Sequence, residues 1–145
     1  MKKLIRQLKF AHAAEIAAYH AYEGHWRSVS NQAEQAYIQK IALDELKHIY
    51  AIEKMLQGLQ SKPSPVLDKM GKIVGELIGF ACYYSGRRLP MLVAGLMEKI
   101  GTASYKDIAN TAIDSERYIM ATHLLEMAKV EQEHEEYFEQ LRKAK

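Results

Sequence analysis

At 145 residues the chain has the length of one ordinary domain, and a single core of that size holds without covalent staples. Its one cysteine, Cys82, excludes an internal disulfide and any metal site needing several thiolates, such as a zinc ribbon or a rubredoxin knuckle. Apolar residues at 48% and charged residues at 26% exclude a disordered chain, and a net charge of +2 without a basic stripe leaves no nucleic-acid footprint.

The N-terminus, Met1-Lys2-Lys3-Leu4-Ile5, begins like a signal peptide, but Arg6, Gln7 and Lys9 interrupt the apolar run at once. Leu4, Leu8, Ala11, Glu15, Ala18 and Tyr22 recur at three or four residues and predict a first helix from about Lys3 to Ser28. Ser28-Val29-Ser30-Asn31 offers capping side chains for a second helix. That helix would carry Ala33, Tyr37, Ile41, Leu46, Ile49, Ile52, Leu56 and Leu59 on one side. Ser61-Lys62-Pro63-Ser64-Pro65 is expected to stop it, because proline lacks a donor and restricts its predecessor.

A third helical region follows from about Val66. Gly71, Gly75 and Gly79 stand four residues apart in it, a smooth strip that another helix could approach closely. An interruption is expected from Gly86 to Pro90, with Pro90 in the first turn of a restarted helix. The restart carries Leu92, Leu96 and Ile100 and is expected to end near Asn110. Asp114 or Ser115 would cap a fourth long helix reaching about Arg142. Nothing alternates with period two for long, so the expectation is all-α: an antiparallel four-helix bundle in one domain over 1–145. No uncharged apolar run of about 18 residues exists, and Arg87-Arg88 cuts the nearest approach, Leu77 to Met97. A cytoplasmic protein, at most peripheral to a membrane, is expected.

Chemistry enters through two Glu-x-x-His motifs, Glu45-Leu46-Lys47-His48 and Glu131-Gln132-Glu133-His134. A spacing of i and i+3 puts both side chains on one helix face, so each motif can offer an oxygen and a nitrogen to one metal ion. Either motif alone is more often a solvated helix face. Two further carboxylates give the pair weight. Glu15 lies in the otherwise uncharged run Ala11 to Ala21, and Glu98 follows seven apolar or small residues, Met91 to Met97. Taken singly, Glu15 could snorkel and Glu98, beside Lys99, could face solvent. Together the order is Glu15, Glu45-x-x-His48, Glu98, Glu131-x-x-His134: the same half twice, at intervals of 30 and 33 residues. Four carboxylates and two imidazoles suit a dinuclear iron site, or manganese, better than a soft metal.

These residues resemble the ferritin-like di-iron carboxylate superfamily, and within it the demethoxyubiquinone hydroxylase (Coq7) family. His12-Ala13-Ala14-Glu15 with Tyr22-Glu23-Gly24 is similar to that family's first helix, and Asp44-Glu45-Leu46-Lys47-His48 to its second-helix ligand pair. Glu98 followed by Tyr105 is similar to the third helix, and Glu131-Gln132-Glu133-His134 to the fourth. The resemblance implies metal ligands at Glu15, Glu45, His48, Glu98, Glu131 and His134, with Glu45 and Glu131 as bridging carboxylates. It also implies hydroxylation of a membrane-derived quinone precursor by di-iron, dioxygen and external reducing equivalents. Ser104 stands where the family has the histidine of a His-Tyr pair, and the chain stops at Lys145 without the family's further apolar segment.

Tyr105 shares a helix face with Glu98 and is the expected catalytic side chain. Tyr19 and Tyr22 share the face of Glu15 and read as core aromatics. His12 could hydrogen-bond a ligand or lie exposed. His20, His25 and His123 read as surface or structural residues, and Met91, Leu92 and Met97 as core or a tunnel wall. Arg87-Arg88 reads as a solvated bend, with lipid headgroups as the other reading. Three classes of function follow: a di-iron monooxygenase acting on an apolar aromatic substrate with an external electron donor; a rubrerythrin-like peroxidase or oxidase; and a non-enzymatic iron-binding bundle. The smooth glycine strip and apolar third helix suggest a homodimer or small homo-oligomer.

Overall fold

The computed structural model describes residues 1–143. Among them are five α-helices and no strand: α1 (Lys2–Ser28), α2 (Gln32–Gly58), α3 (Pro65–Tyr84), α4 (Arg88–Asp114) and α5 (Tyr118–Lys143). The all-α expectation stands. The third helical region is two separate helices, α3 and α4, divided by a corner in which Gly86 takes φ 72°, a left-handed conformation that costs glycine little.

Helix ends follow local chemistry. Asn31 caps α2, its side chain accepting from the amides of Ala33 at 2.9 Å and Glu34 at 3.1 Å. The far end of α2 stops before the prolines expected to end it. Gln60 turns left-handed (φ 54°), its amide donating to Gln57 O and that of Ser61 to Leu56 O, both at 2.9 Å. That pair of bonds is a Schellman closure with glutamine in glycine's usual place. Pro65 instead starts α3, with Ser64 as its cap.

The same closure ends α4. Glu116 (φ 59°) donates to Ile113 O and Arg117 to Ala112 O, at 2.9 and 2.8 Å. Residues Asp114 and Ser115 are therefore consumed in ending α4, which runs four residues past Asn110, and neither caps α5, which begins at Tyr118. The restart also comes earlier than Pro90, at Arg88, leaving Pro90 in the first turn where its missing donor costs nothing.

The chain divides into two compact units. One is Leu8–Pro90, holding most of α1 with α2 and α3; the other joins Met1–Gln7 to the chain from Met91 onward, with α4 and α5. In the first unit the glycine strip is filled by α1 of the same chain. A Cβ on Gly71 would overlap Ala13 O, one on Gly75 would overlap Ala17 O, and one on Gly24 would overlap the Gly79 backbone. The strip is thus an intrachain helix crossing. The rest of α3 faces outward, with Val66, Met70, Leu77, Phe80, Tyr83 and Tyr84 each more than half exposed. Among the described residues no helix is long and apolar enough to cross a membrane.

In the second unit the buried side of α4 runs through Met91, Ala94, Glu98, Thr102, Tyr105 and Ile108. It meets Leu124, Met127, Ala128, Glu131, His134 and Phe138 as the buried side of α5. Gly95 lets the helices approach, a Cβ there standing 3.3 Å from Phe138 Cβ. Met91 is core as expected, whereas Leu92 and Met97 point outward at 48% and 46% exposure, Leu92 lining with Met91 a half-open cavity of about 340 Å³ between α4 and α5. Gln7 anchors the start of α1 here, its Nε2 donating to Asp107 Oδ2 at 2.6 Å.

Candidate metal centre

Each unit buries one carboxylate beside one Glu-x-x-His pair. In the Leu8–Pro90 unit, α1 supplies Glu15 and α2 supplies Glu45 and His48, all at most 6% exposed. His48 Nδ1 lies 3.4 Å from Glu45 Oε2 and 3.7 Å from Glu15 Oε2. In the other unit, α4 supplies Glu98 and α5 supplies Glu131 and His134, all at most 4% exposed, with His134 Nδ1 3.3 Å from Glu98 Oε2. Within each triad every residue offers a ligand atom inside 4.8 Å of the other two.

The buried stripe of α2 explains how a helix with many apolar residues turns polar ones inward. It runs Glu34, Ile38, Ile41, Ala42, Glu45, His48, Ile52, Met55 and Leu56, with Asp44 buried at its margin. Ile41, Ile52 and Leu56 of the expected stripe are buried, whereas Ala33 is exposed and Leu46 and Ile49 are only half-buried. Glu45 and His48, each one residue before Leu46 and Ile49, stand on the buried side in their place. Neither Glu15 nor Glu98 snorkels.

The donor set of each triad could hold a hard, doubly charged cation. An ion ligated at about 2.1 Å draws neighbouring donor atoms to about 3 Å from one another, near the nitrogen–oxygen separations of each triad. Two carboxylates and one imidazole per triad supply the charge such an ion needs, and oxygen-rich sets with imidazole are those of iron and manganese. Burying that many carboxylates is costly unless cations, protons or hydrogen bonds compensate.

The neighbours sort cleanly. Asp44, adjacent to Glu45, faces Lys40 and Lys47 at 2.8 and 2.7 Å. His12 is buried, not exposed, and its Nδ1 meets Asp68 of α3 at 2.9 Å. Tyr22 is core. His20 rests edge-on against Tyr19, and His123 is a surface residue beside Glu126. Tyr105 is 1% exposed on α4, two turns from Glu98 and on the same face. Thr102, between them, donates its hydroxyl back to Glu98 O at 3.0 Å.

Sequence reasoning passed over one polar cluster. His25 is structural, as expected, but buried to 2%, stacked against Tyr22 with ring centroids 6.2 Å apart. Burial lowers its pKa to about 4, opposed in part by Glu34. Glu34 in turn takes Arg87, so that arginine is no solvated bend: Nε and Nη2 donate to the two carboxylate oxygens. The available signal was Glu34 in the first turn after the Asn31 cap, a common place for a fixed acid.

Residues 2–116 match the family model described as ubiquinone biosynthesis protein COQ7. The matched span holds Glu15, Glu45, His48, Glu98 and Tyr105 and ends before α5, which carries Glu131 and His134. No curated protein matches the chain.

Proposed function

Because the chain belongs to the Coq7 family of ubiquinone-biosynthesis hydroxylases, we propose that it is a di-iron, dioxygen-dependent monooxygenase acting on a quinone-like or other apolar aromatic substrate. The observation that carries this reading is the repeated triad: a buried carboxylate beside a buried Glu-x-x-His pair, once in each unit. Glu15, Glu45 and His48, with Glu98, Glu131 and His134, would hold two iron ions, manganese being the alternative. When bound, that pair supplies the reductive activation of dioxygen.

The chain's own residues do the rest. Four carboxylates balance the charge of two divalent ions, and helices on either side of each triad keep the donors fixed and water out. Hydroxylation inserts one oxygen atom into a substrate C–H bond and releases the other as water, using two electrons and two protons. Cys82 alone builds no rubredoxin-type site, and an external donor is proposed to supply both electrons. The Tyr105 phenol is the proposed proton donor or relay, on the same face of α4 as Glu98. The exposed apolar face of α3 is proposed to rest on the membrane in which such a substrate dissolves.

Anaerobic loading with ferrous iron tests the reading directly. Two irons per chain, a transient visible band on admitting air, and oxygen uptake that requires a reductant and a quinone or phenol are expected. Stoichiometric iron without oxygen chemistry would sink the hydroxylase and leave an iron-binding bundle. Sizing separates storage, which needs a large hollow shell, from the homodimer or small oligomer expected of an enzyme. Tyr105→Phe should keep both irons while turnover falls at least tenfold.

A further inference from the structure

Gly101 lies on α4 between Glu98 and Tyr105, and its side-chain position is already occupied. A Cβ built there would overlap Glu131 Oε2 and stand 3.2 Å from Glu131 Cδ and 3.6 Å from its Cγ. One oxygen of the Glu131 carboxylate therefore occupies the place of the missing side chain on α4, and any side chain at 101 must push it away. No neighbouring main chain is among the three nearest atoms to that Cβ; all belong to the movable end of one side chain. Gly75 is the opposite case, its three nearest atoms being the backbone of Ala17. Alanine at 101 thus asks one side chain to move, whereas alanine at 75 asks two helices to separate.

Glycine in the middle of a 27-residue helix is otherwise a poor choice, since alanine is the better helix former. We propose that Gly101 is a positioning residue for Glu131: its missing side chain is the seat that holds this carboxylate beside Glu98 and His134. The seat fixes where one carboxylate oxygen can stand, which is what a metal ligand needs and a core packing contact does not. This inference rests on the metal-centre reading for its purpose, but the seat itself is a contact between two residues of one unit and can be tested without metal.

The experiment is a double-substitution cycle on the apo protein, followed by metal titration. By thermal and denaturant unfolding, Gly101→Ala is expected to be harmful or neutral beside Glu131 and clearly stabilising in the Glu131→Ala background. Equal effects of Gly101→Ala in both backgrounds, including equal failure to fold, would overturn the seat. Titration with ferrous iron, and with cobalt(II) as a visible-absorption probe, then asks what the seat is for. Gly101→Ala should lower stoichiometry from two ions per chain toward one, and Glu131→Asp in the same chain should restore part of it by withdrawing the carboxylate one methylene. Unchanged stoichiometry and an unchanged cobalt spectrum in Gly101→Ala would overturn the positioning role. A wild-type chain that takes up no metal would instead sink the metal-centre reading, and the apo cycle would still decide the seat.

Discussion

Arg87 grips Glu34 with both arms of its guanidinium, Nε to Oε2 at 3.0 Å and Nη2 to Oε1 at 2.6 Å. The bond joins the first turn of α2 to the corner between α3 and α4, where Gly86 is left-handed. A bidentate pair of this kind is among the stronger polar contacts a protein makes, and Glu34 is the buried partner.

Removing the arginine should therefore cost more than a surface ion pair is worth. Arg87→Met leaves a buried carboxylate without its main counter-charge, and a loss of about 1–3 kcal/mol is expected, discounted for the half-exposed guanidinium. Adding Glu34→Gln to that variant should recover most of the loss. Urea unfolding of the two single variants and the double gives the coupling, and a coupling below about 0.5 kcal/mol would make the pair incidental.

The same cluster sets an acid limit. His25 has a folded pKa of about 4 against an ordinary 6.5, because burial disfavours its charged form. Between those values the unfolded chain holds a proton that the folded chain lacks, so stability rises with pH across the window. The contribution is complete above about pH 6.5, shrinks as pH falls toward 4, and is flat below. A shift of that size corresponds to roughly 3 kcal/mol. His25→Gln removes the titration, and its unfolding free energy should fall less than the wild type's between pH 7 and 4. Parallel curves for the two proteins would show that His25 titrates normally.

Two glycines separate close packing from helix propensity. Gly75→Ala would drive a Cβ into Ala17 O and its backbone, so α1 and α3 must part, and a loss of about 2 kcal/mol or more is expected. Gly58, in the last turn of α2, has nothing within 4 Å of a built Cβ, and Gly58→Ala should stabilise by about 0.5–1 kcal/mol. Opposite signs in thermal melts check the intrachain crossing. Loss of oligomeric state in Gly75→Ala with an unshifted melt would instead assign the strip to a second copy.

How far the sequence could be read follows from what each signal measures. Apolar periodicity placed α1, α2 and α5, which bury stripes of side chains, whereas α3 buries only Gly75, Gly79 and Cys82 and was marked by its spaced glycines. Periodicity left Glu45 and His48 off the inner face of α2, because it counts polar residues as outward. The Glu-x-x-His spacing singled out both, since it looks for paired donors and not for apolar side chains. Both misjudged helix ends have one cause: Gln60 and Glu116 adopt the left-handed turn that normally advertises itself with glycine. The pairs Arg87–Glu34 and His12–Asp68, 53 and 56 residues apart, have no local signature at all.

A buried carboxylate proposed as a metal ligand sets stability against chemistry, and one residue measures the trade. Glu45 is 1% exposed, and Glu15 lies in the same triad, so two carboxylates are desolvated side by side. Glu45→Gln keeps the shape and removes a buried charge. The apo variant should be more stable than the apo wild type by about 1–4 kcal/mol, since desolvating a carboxylate costs that much or more. Iron binding should fall to one ion per chain or fewer, and the stabilisation that iron gives the wild type should disappear with it. Calorimetric melts with and without ferrous iron read both effects in one experiment. An apo Glu45→Gln protein less stable than the apo wild type would assign Glu45 a structural hydrogen-bonding role. Undiminished iron uptake would remove it from the ligand set.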